Sequence, residues 1–175
     1  MKVNVTSSPR YWAINTTDSV TKVNYWTTFV AESVIAIGWN QLQIDPSSVS
    51  KDRLLVELQK TFSGKGNKAA ADTIMTFIGL NARDLVLVTE GYTANKKRDV
   101  HIYGVARVKG RFFCDARSQG WRFKHEADVQ VIGKCAPVEL LLELLEPQTM
   151  RRAIHRLDGQ GVNGLLRELG VQLAV

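Results

Sequence analysis

Val34-Ile35-Ala36-Ile37-Gly38-Trp39-Asn40-Gln41 is the stretch on which the fold turns. Its first four residues are apolar and mostly β-branched, too few for a helix, and lack the alternation of a strand wetted on one side. They read as a strand covered on both faces. The run closes on a glycine and a tryptophan, then on two amides that donate and accept at once. A buried strand therefore delivers an aromatic wall and hydrogen-bonding groups to one end of a sheet.

Upstream, Arg10-Tyr11-Trp12-Ala13-Ile14-Asn15 is short, aromatic and alternating, and predicts a first strand. Thr16-Thr17-Asp18-Ser19 offers N-caps to a helix running to about Ser33, with Val20, Val23, Tyr25, Trp26 and Phe29 on its apolar face. Downstream of Pro46, Ser47, Ser48 and Ser50 cap a helix carrying Leu54, Leu55 and Leu58, and a second helix covers Ala69 to Ile78. Asp84 to Thr89 and Val100 to Phe113 predict a hairpin, and Trp121 to Ile132 a further strand beside it. Pro137 opens a Leu-rich helix over Leu140 to Leu145 that Pro147 ends, and two short amphipathic helices, Met150 to Arg156 and Val162 to Leu169, complete the chain. The predicted order is β-α-β-α-α-β-β-β-α-α, an α+β class.

With 175 residues, 45% of them hydrophobic, the chain has the size and core of one domain, 1–175. No run of about 18 apolar residues exists and Met1 to Arg10 is polar, so a cytoplasmic protein with no membrane contact is expected. Cys114 and Cys135 lack paired spacing and read as buried thiols; His101, His125 and His155 stand apart, so no metal or cofactor is expected. Gly64-Lys65-Gly66-Asn67-Lys68 has the wrong spacing for a phosphate loop and follows no strand. No serine elbow and no lysine-paired acidic cluster of a nuclease is present. The chain reads as non-catalytic.

Lys and Arg number 23 against 17 Asp and Glu, a net charge of +6 that favours polyanions. Lys96, Lys97, Arg98, Arg107, Lys109, Arg111, Arg117, Arg122 and Lys124 fall on the hairpin and the loops around Trp121, with Arg151, Arg152 and Arg156 further on. Trp39 and Trp121, each at a strand end, can sandwich a planar base whose edge the amides read, while the basic residues hold phosphate.

The order of elements, with Tyr11-Trp12-Ala13-Ile14-Asn15 at the first strand and Ile37-Gly38-Trp39 at the second, resembles the PUA-like superfamily, in particular its EVE and YTH branches. The resemblance implies a strongly curved mixed sheet of five to six strands, or a partial barrel, flanked by helices. It implies a cage around a methylated base walled by Trp39 and Trp121, with Asn40 after the first cage tryptophan. His155-Arg156-Leu157-Asp158-Gly159-Gln160 resembles a late YTH loop, which would put Arg156 on phosphate and Asp158 near the base, although a leucine separates the two here. The phosphate contacts expected are Arg107, Lys109, Arg111, Arg117, Arg122, Lys124 and Arg156.

Similar domains read modified DNA in McrB-type restriction systems beside a nuclease or NTPase. DNA is thus the expected partner over RNA, within a defence system, and the chain is expected to be part of a longer protein. Two alternatives stand beside this: a PUA-like RNA binder, and an ASCH-like small hydrolase using Lys22, Glu32 or Asp45 in the same cleft.

Overall fold

The computed structural model describes residues 9–18, 21–90, 99–118, 120–144 and 153–173. The first strand, β1 (Tyr11–Asn15), and the third, β3 (Leu85–Thr89), run parallel side by side, with Tyr11 opposite Leu85 and Asn15 opposite Thr89. Their runs are nearly all apolar because each face meets its own core. Trp12, Ile14, Val86 and Val88 point into one, Ala13, Leu85 and Leu87 into the other.

The second strand, β2 (Val34–Ile37), is buried throughout, as expected, yet among the described residues it forms the margin of the sheet and pairs only with β5 (Phe123–Pro137). Between them and the parallel pair lies β4 (Asp99–Cys114), and the order across the six-stranded sheet is β2-β5-β4-β3-β1-β6. The expected β3–β4 hairpin and the expected pairing of β5 beside β4 are both antiparallel. Two register shifts, at Ile102/Gly104 and Val108/Phe112, break the long β4–β5 ladder. Such bulges bend a sheet, and the sheet curls into a half-barrel. Gly104 marks one bend: a Cβ there would strike the Gln130 carbonyl and the Trp26 ring.

Two segments depart from the sequence expectation. The helix expected from Thr16 onward is confined to α1 (Trp26–Glu32). Ahead of it Thr17 bridges to Asn24, the Asp18 carboxylate accepts from the Thr21 amide at 2.7 Å, and Asn24 Oδ1 accepts from the Trp26 amide at 2.8 Å. Short polar side chains here offer the backbone turns in place of helical bonds. The helix expected over Met150 to Arg156 is instead a strand, β6 (Ile154–Leu157), antiparallel to β1. The free edge of β1 needed a partner, and sheet pairing overrode a weak local preference.

The remaining helices cover the two faces. Helices α2 (Lys51–Thr61) and α3 (Asn67–Ile78) contribute Leu54, Leu58, Ile74 and Phe77 to the first core, and α4 (Val138–Leu144) and α5 (Gly159–Glu168) contribute Leu141, Val162, Leu165 and Leu166 to the second. Asp84, 2% exposed, ties β1 to β3: it accepts from the Arg10 guanidinium at 2.6 Å, from Trp12 Nε1 at 3.2 Å and from the Asn81 amide at 2.9 Å. Pro147, with Lys96 to Arg98 and Arg151 and Arg152, lies outside the described residues.

Candidate nucleic-acid interface

The last pair joining β2 to β5 is Ile37 opposite Phe123. Immediately beyond it the two chains carry Gly38-Trp39-Asn40 and Trp121-Arg122, so residues more than eighty positions apart meet at one end of the sheet. A Cβ on Gly38 would stand 3.2 Å from Trp121 Nε1, so the indole lies directly over the glycine backbone. Trp121 is only 6% exposed. Tyr25 packs on it at 4.7 Å between ring centres, Phe29 at 6.2 Å, and its Nε1 donates to Asp18 at 3.3 Å. Trp121 is the floor of this end of the sheet; Trp39, half-buried, is its accessible aromatic.

Trp39 has φ +68°, in the left-handed region that bulky side chains avoid, and its carbonyl closes a turn by accepting from the Leu42 amide at 3.1 Å. What holds that turn is Arg122. Its Nη1 donates to the carbonyls of Asn40 at 3.1 Å and Leu42 at 3.0 Å, and its Nη2 lies 4.0 Å from Cys114 Sγ. Arg122, expected on phosphate, is instead a clasp that reaches from the segment just before β5 to the Trp39 turn. Burial pushes the Cys114 thiol up, against the opposing charge of Arg122. Two polar atoms of the clasp are buried without a partner, Asn40 Oδ1 and Arg122 Nε.

Lys124 is also corrected. It is 2% exposed and bonded to Glu32 at 2.7 Å and Asp115 at 2.8 Å, so its ammonium is not offered to phosphate. Burial alone would lower its pKa, but the bonds and charges of the two carboxylates outweigh burial and hold it above the usual lysine value. Lys124 in turn holds the Asp115 carboxyl below its ordinary range. Asp115 also accepts from the Arg117 amide at 3.1 Å, shaping a turn on which Arg117 is exposed and meets no carboxylate among the described residues.

The other basic residues scatter. Lys109 pairs with Asp128 at 2.6 Å and Arg111 with Glu126 at 3.5 Å, both on the surface of the β4–β5 ladder, and Arg107 is half-buried beside them. Arg156 is exposed on β6, its guanidinium 6.0 Å from the Trp12 ring, against which Arg10 also lies at 5.3 Å. Asp158 follows β6, the opposite margin of the sheet from β2. Its carboxylate is engaged as the N-cap of α5, accepting from the Gly161 amide at 2.7 Å.

Lys22, Glu32 and Asp45, the acid–base set of the hydrolase alternative, do not form one group: Lys22 sits in the loop before α1, Glu32 is bound to Lys124, and Asp45 caps the 3-10 turn at Pro46–Ser48. Among the described residues no three His, Cys, Asp or Glu side chains gather as a metal site, and no helix is long and apolar enough to cross a membrane. Cys135, expected to be buried, is exposed, with Sγ 3.6 Å from His101 Nδ1.

The sequence reading missed the clasp and the Asp18–Tyr25 cover of Trp121. A signal for the second lay in the chain: Trp39 and Trp121 each follow a glycine, and a Cβ on Gly120 would stand 2.6 Å from the Tyr25 ring.

Comparison with known proteins places the chain beside three solved structures. A YTH domain from Zygosaccharomyces rouxii, solved in complex with N6-methyladenosine RNA, is 12% identical at TM-score 0.49, over 95% of this chain and 90% of that one. A protein of Rhodopseudomonas palustris is 11% identical at TM-score 0.46, over 94% and 96%. A hypothetical protein from Leishmania major is 13% identical at TM-score 0.47, over 93% and 96%. No family model and no curated protein matches the chain.

Proposed function

We propose that this chain is a non-catalytic reader of nucleic acid that takes one extruded base, methylated or otherwise modified, against Trp39 at the β2–β5 end of the sheet. The observation that carries the reading is the Trp39-Asn40 turn. A bulky aromatic, half-buried, is held in a left-handed conformation by an arginine from the segment leading into β5, beside a second tryptophan and two unpartnered polar atoms. Strain of this kind costs on the order of 1 kcal/mol and persists where the surroundings impose it, commonly at binding sites. Extruding a base costs a few kcal/mol and stacking on an aromatic returns about 1 to 3 kcal/mol, so phosphate contacts must supply the rest.

Arg117, on its turn beside Trp121, is the phosphate contact with the best-supported geometry; Arg107 and Arg156 are further candidates. DNA is the polymer, and the reader serves a restriction system beside a nuclease or NTPase.

The test compares duplex DNA, single-stranded DNA and RNA, each with and without methylated bases, on the wild-type chain and on Trp39→Ala. The reading expects preference for modified DNA, and a Trp39→Ala variant that unfolds near-normally but loses about 1 to 3 kcal/mol of binding, most of it on the modified ligand. A variant that still discriminates, or one destabilised by the roughly 3 to 5 kcal/mol of a lost core aromatic, removes the cage. Preference for RNA would move the protein to the RNA-binding alternative.

A further inference from the structure

Arg83 stands in the turn ahead of β3, and that turn is tied on both sides. The Arg83 amide donates to the Val108 carbonyl at 2.8 Å, the Asp84 amide to the Asn81 carbonyl at 3.0 Å, and the Asn81 amide to the Asp84 carboxylate at 2.9 Å. Arg83 is held at φ +78°, a left-handed conformation that a long side chain keeps only where its surroundings impose it. The side chain itself is exposed and meets no carboxylate among the described residues. Arg10 lies against the same turn, bound to Asp84 and to the Gly79 carbonyl.

A row of cations leads from this turn to the Trp121 end of the sheet. A Cβ on Gly110, whose φ is +91°, would stand 3.0 Å from Ala82 Cβ, so the neighbour of Arg83 packs on the bend of β4 between Lys109 and Arg111. From Val108 to Cys114 the strand covers about 20 Å, and it ends where the Asp115 amide donates to the Arg122 carbonyl, beside Arg117 and Trp121. Lys109 and Arg111 are engaged only in exposed ion pairs, with Asp128 and Glu126, which are weak in water and give way to a phosphate at little cost.

We infer that Arg83 is the far anchor of a phosphate track, along which a DNA strand runs from Arg117 past Arg111 and Lys109 to the Asn81–Asp84 turn. The inference rests on the proposed base-binding role and gives it a footprint. At about 3.4 Å per nucleotide of a stacked strand, the track takes about six nucleotides. A short ligand at Trp39 ends before Arg83; a longer one reaches it.

The experiment titrates the full chain with mixed-sequence single-stranded DNA of three and of twelve nucleotides. Arg83→Asn removes the charge and keeps a residue that tolerates the left-handed backbone. It is expected to weaken binding of the twelve-mer about three-fold or more and to lower its salt slope by about one unit. Binding of the three-mer and the melting temperature are expected to stay as in the wild type, and Arg83→Lys to recover most of the lost affinity. Unchanged binding of the twelve-mer by Arg83→Asn, an equal loss on the three-mer, or an unchanged salt slope overturns the inference. A twelve-mer weakened by Arg83→Asn but not by Trp39→Ala would keep the track and remove the cage; the reverse pattern would keep the cage and remove the track.

Discussion

Arg122, the residue before β5, grips the backbone of Asn40 beyond the end of β2, its Nη1 3.1 Å from the Asn40 carbonyl and 3.0 Å from that of Leu42. A cation drawn into this position acts on the shape of the turn and not on a phosphate. Arg122→Met is therefore expected to cost about 1.5 to 3 kcal/mol of stability, the range for bonds from a charged donor. It should weaken binding of the preferred base while leaving the slope of affinity against salt unchanged. A slope that falls by about one unit would mean that Arg122 neutralises a phosphate after all.

Lys124 makes a second prediction, because its two carboxylate partners are themselves partly exposed. Lys124→Met strands Glu32 and Asp115 at the surface rather than in the core, so the expected cost is about 3 kcal/mol, at the low end for breaking a buried pair. Lys109→Ala, removing an exposed pair with Asp128, should leave the melting temperature within the scatter of replicate scans. Equal effects from the two substitutions would show that burial of Lys124 carries no energetic weight.

Binding should weaken steeply with salt, since the basic residues displace counterions from several phosphates. Arg117→Ala is expected to lower affinity for modified and unmodified ligands alike and to reduce the salt slope by about one unit. Replacing Arg107 and Arg111 together should also leave the modification preference intact. A flat salt dependence, or a changed preference, would reassign these side chains.

Acid sensitivity follows from His125, which is 1% exposed, holds the Phe77 carbonyl at 2.8 Å through Nε2 and has its Nδ1 buried without a partner. Burial pushes its pKa below the usual value, so the folded protein keeps the ring neutral while the unfolded chain takes up a proton near pH 6.5. The unfolded state then binds more protons, and stability, fully present above that pH, falls as pH drops below it. Melting scans between pH 7.5 and about pH 5 should show this decline, and His125→Gln, able to keep the bond to Phe77, should flatten it. An unchanged pH profile in the variant would place the acid sensitivity elsewhere.

The amino-acid sequence by itself determined the α+β class, the strands carrying Trp12, Ile35, Val86 and Val105, the β3–β4 hairpin with β5 beside it and the position of Trp39 at a strand end. Each of these rests on local periodicity, which a linear chain records. It did not determine β6, because Ile154 to Leu157 became a strand only when the edge of β1 was there to pair with it. Nor did it reveal the short α1, where Asp18 and Asn24 turned the backbone before a helix could start. The site divided in the same way. Trp39, Asn40 and Trp121 were legible as residue types suited to a base, and tertiary structure brought them to one end of the sheet. Arg122 and Lys124 were legible only as positive charges. Whether a cation faces solvent or is spent inside the protein depends on which carbonyls and carboxylates the fold sets beside it; here Asn40 and Leu42 come from the turn after β2, Glu32 from the end of α1 and Asp115 from the turn after β4, segments whose approach to the start of β5 no local pattern encodes.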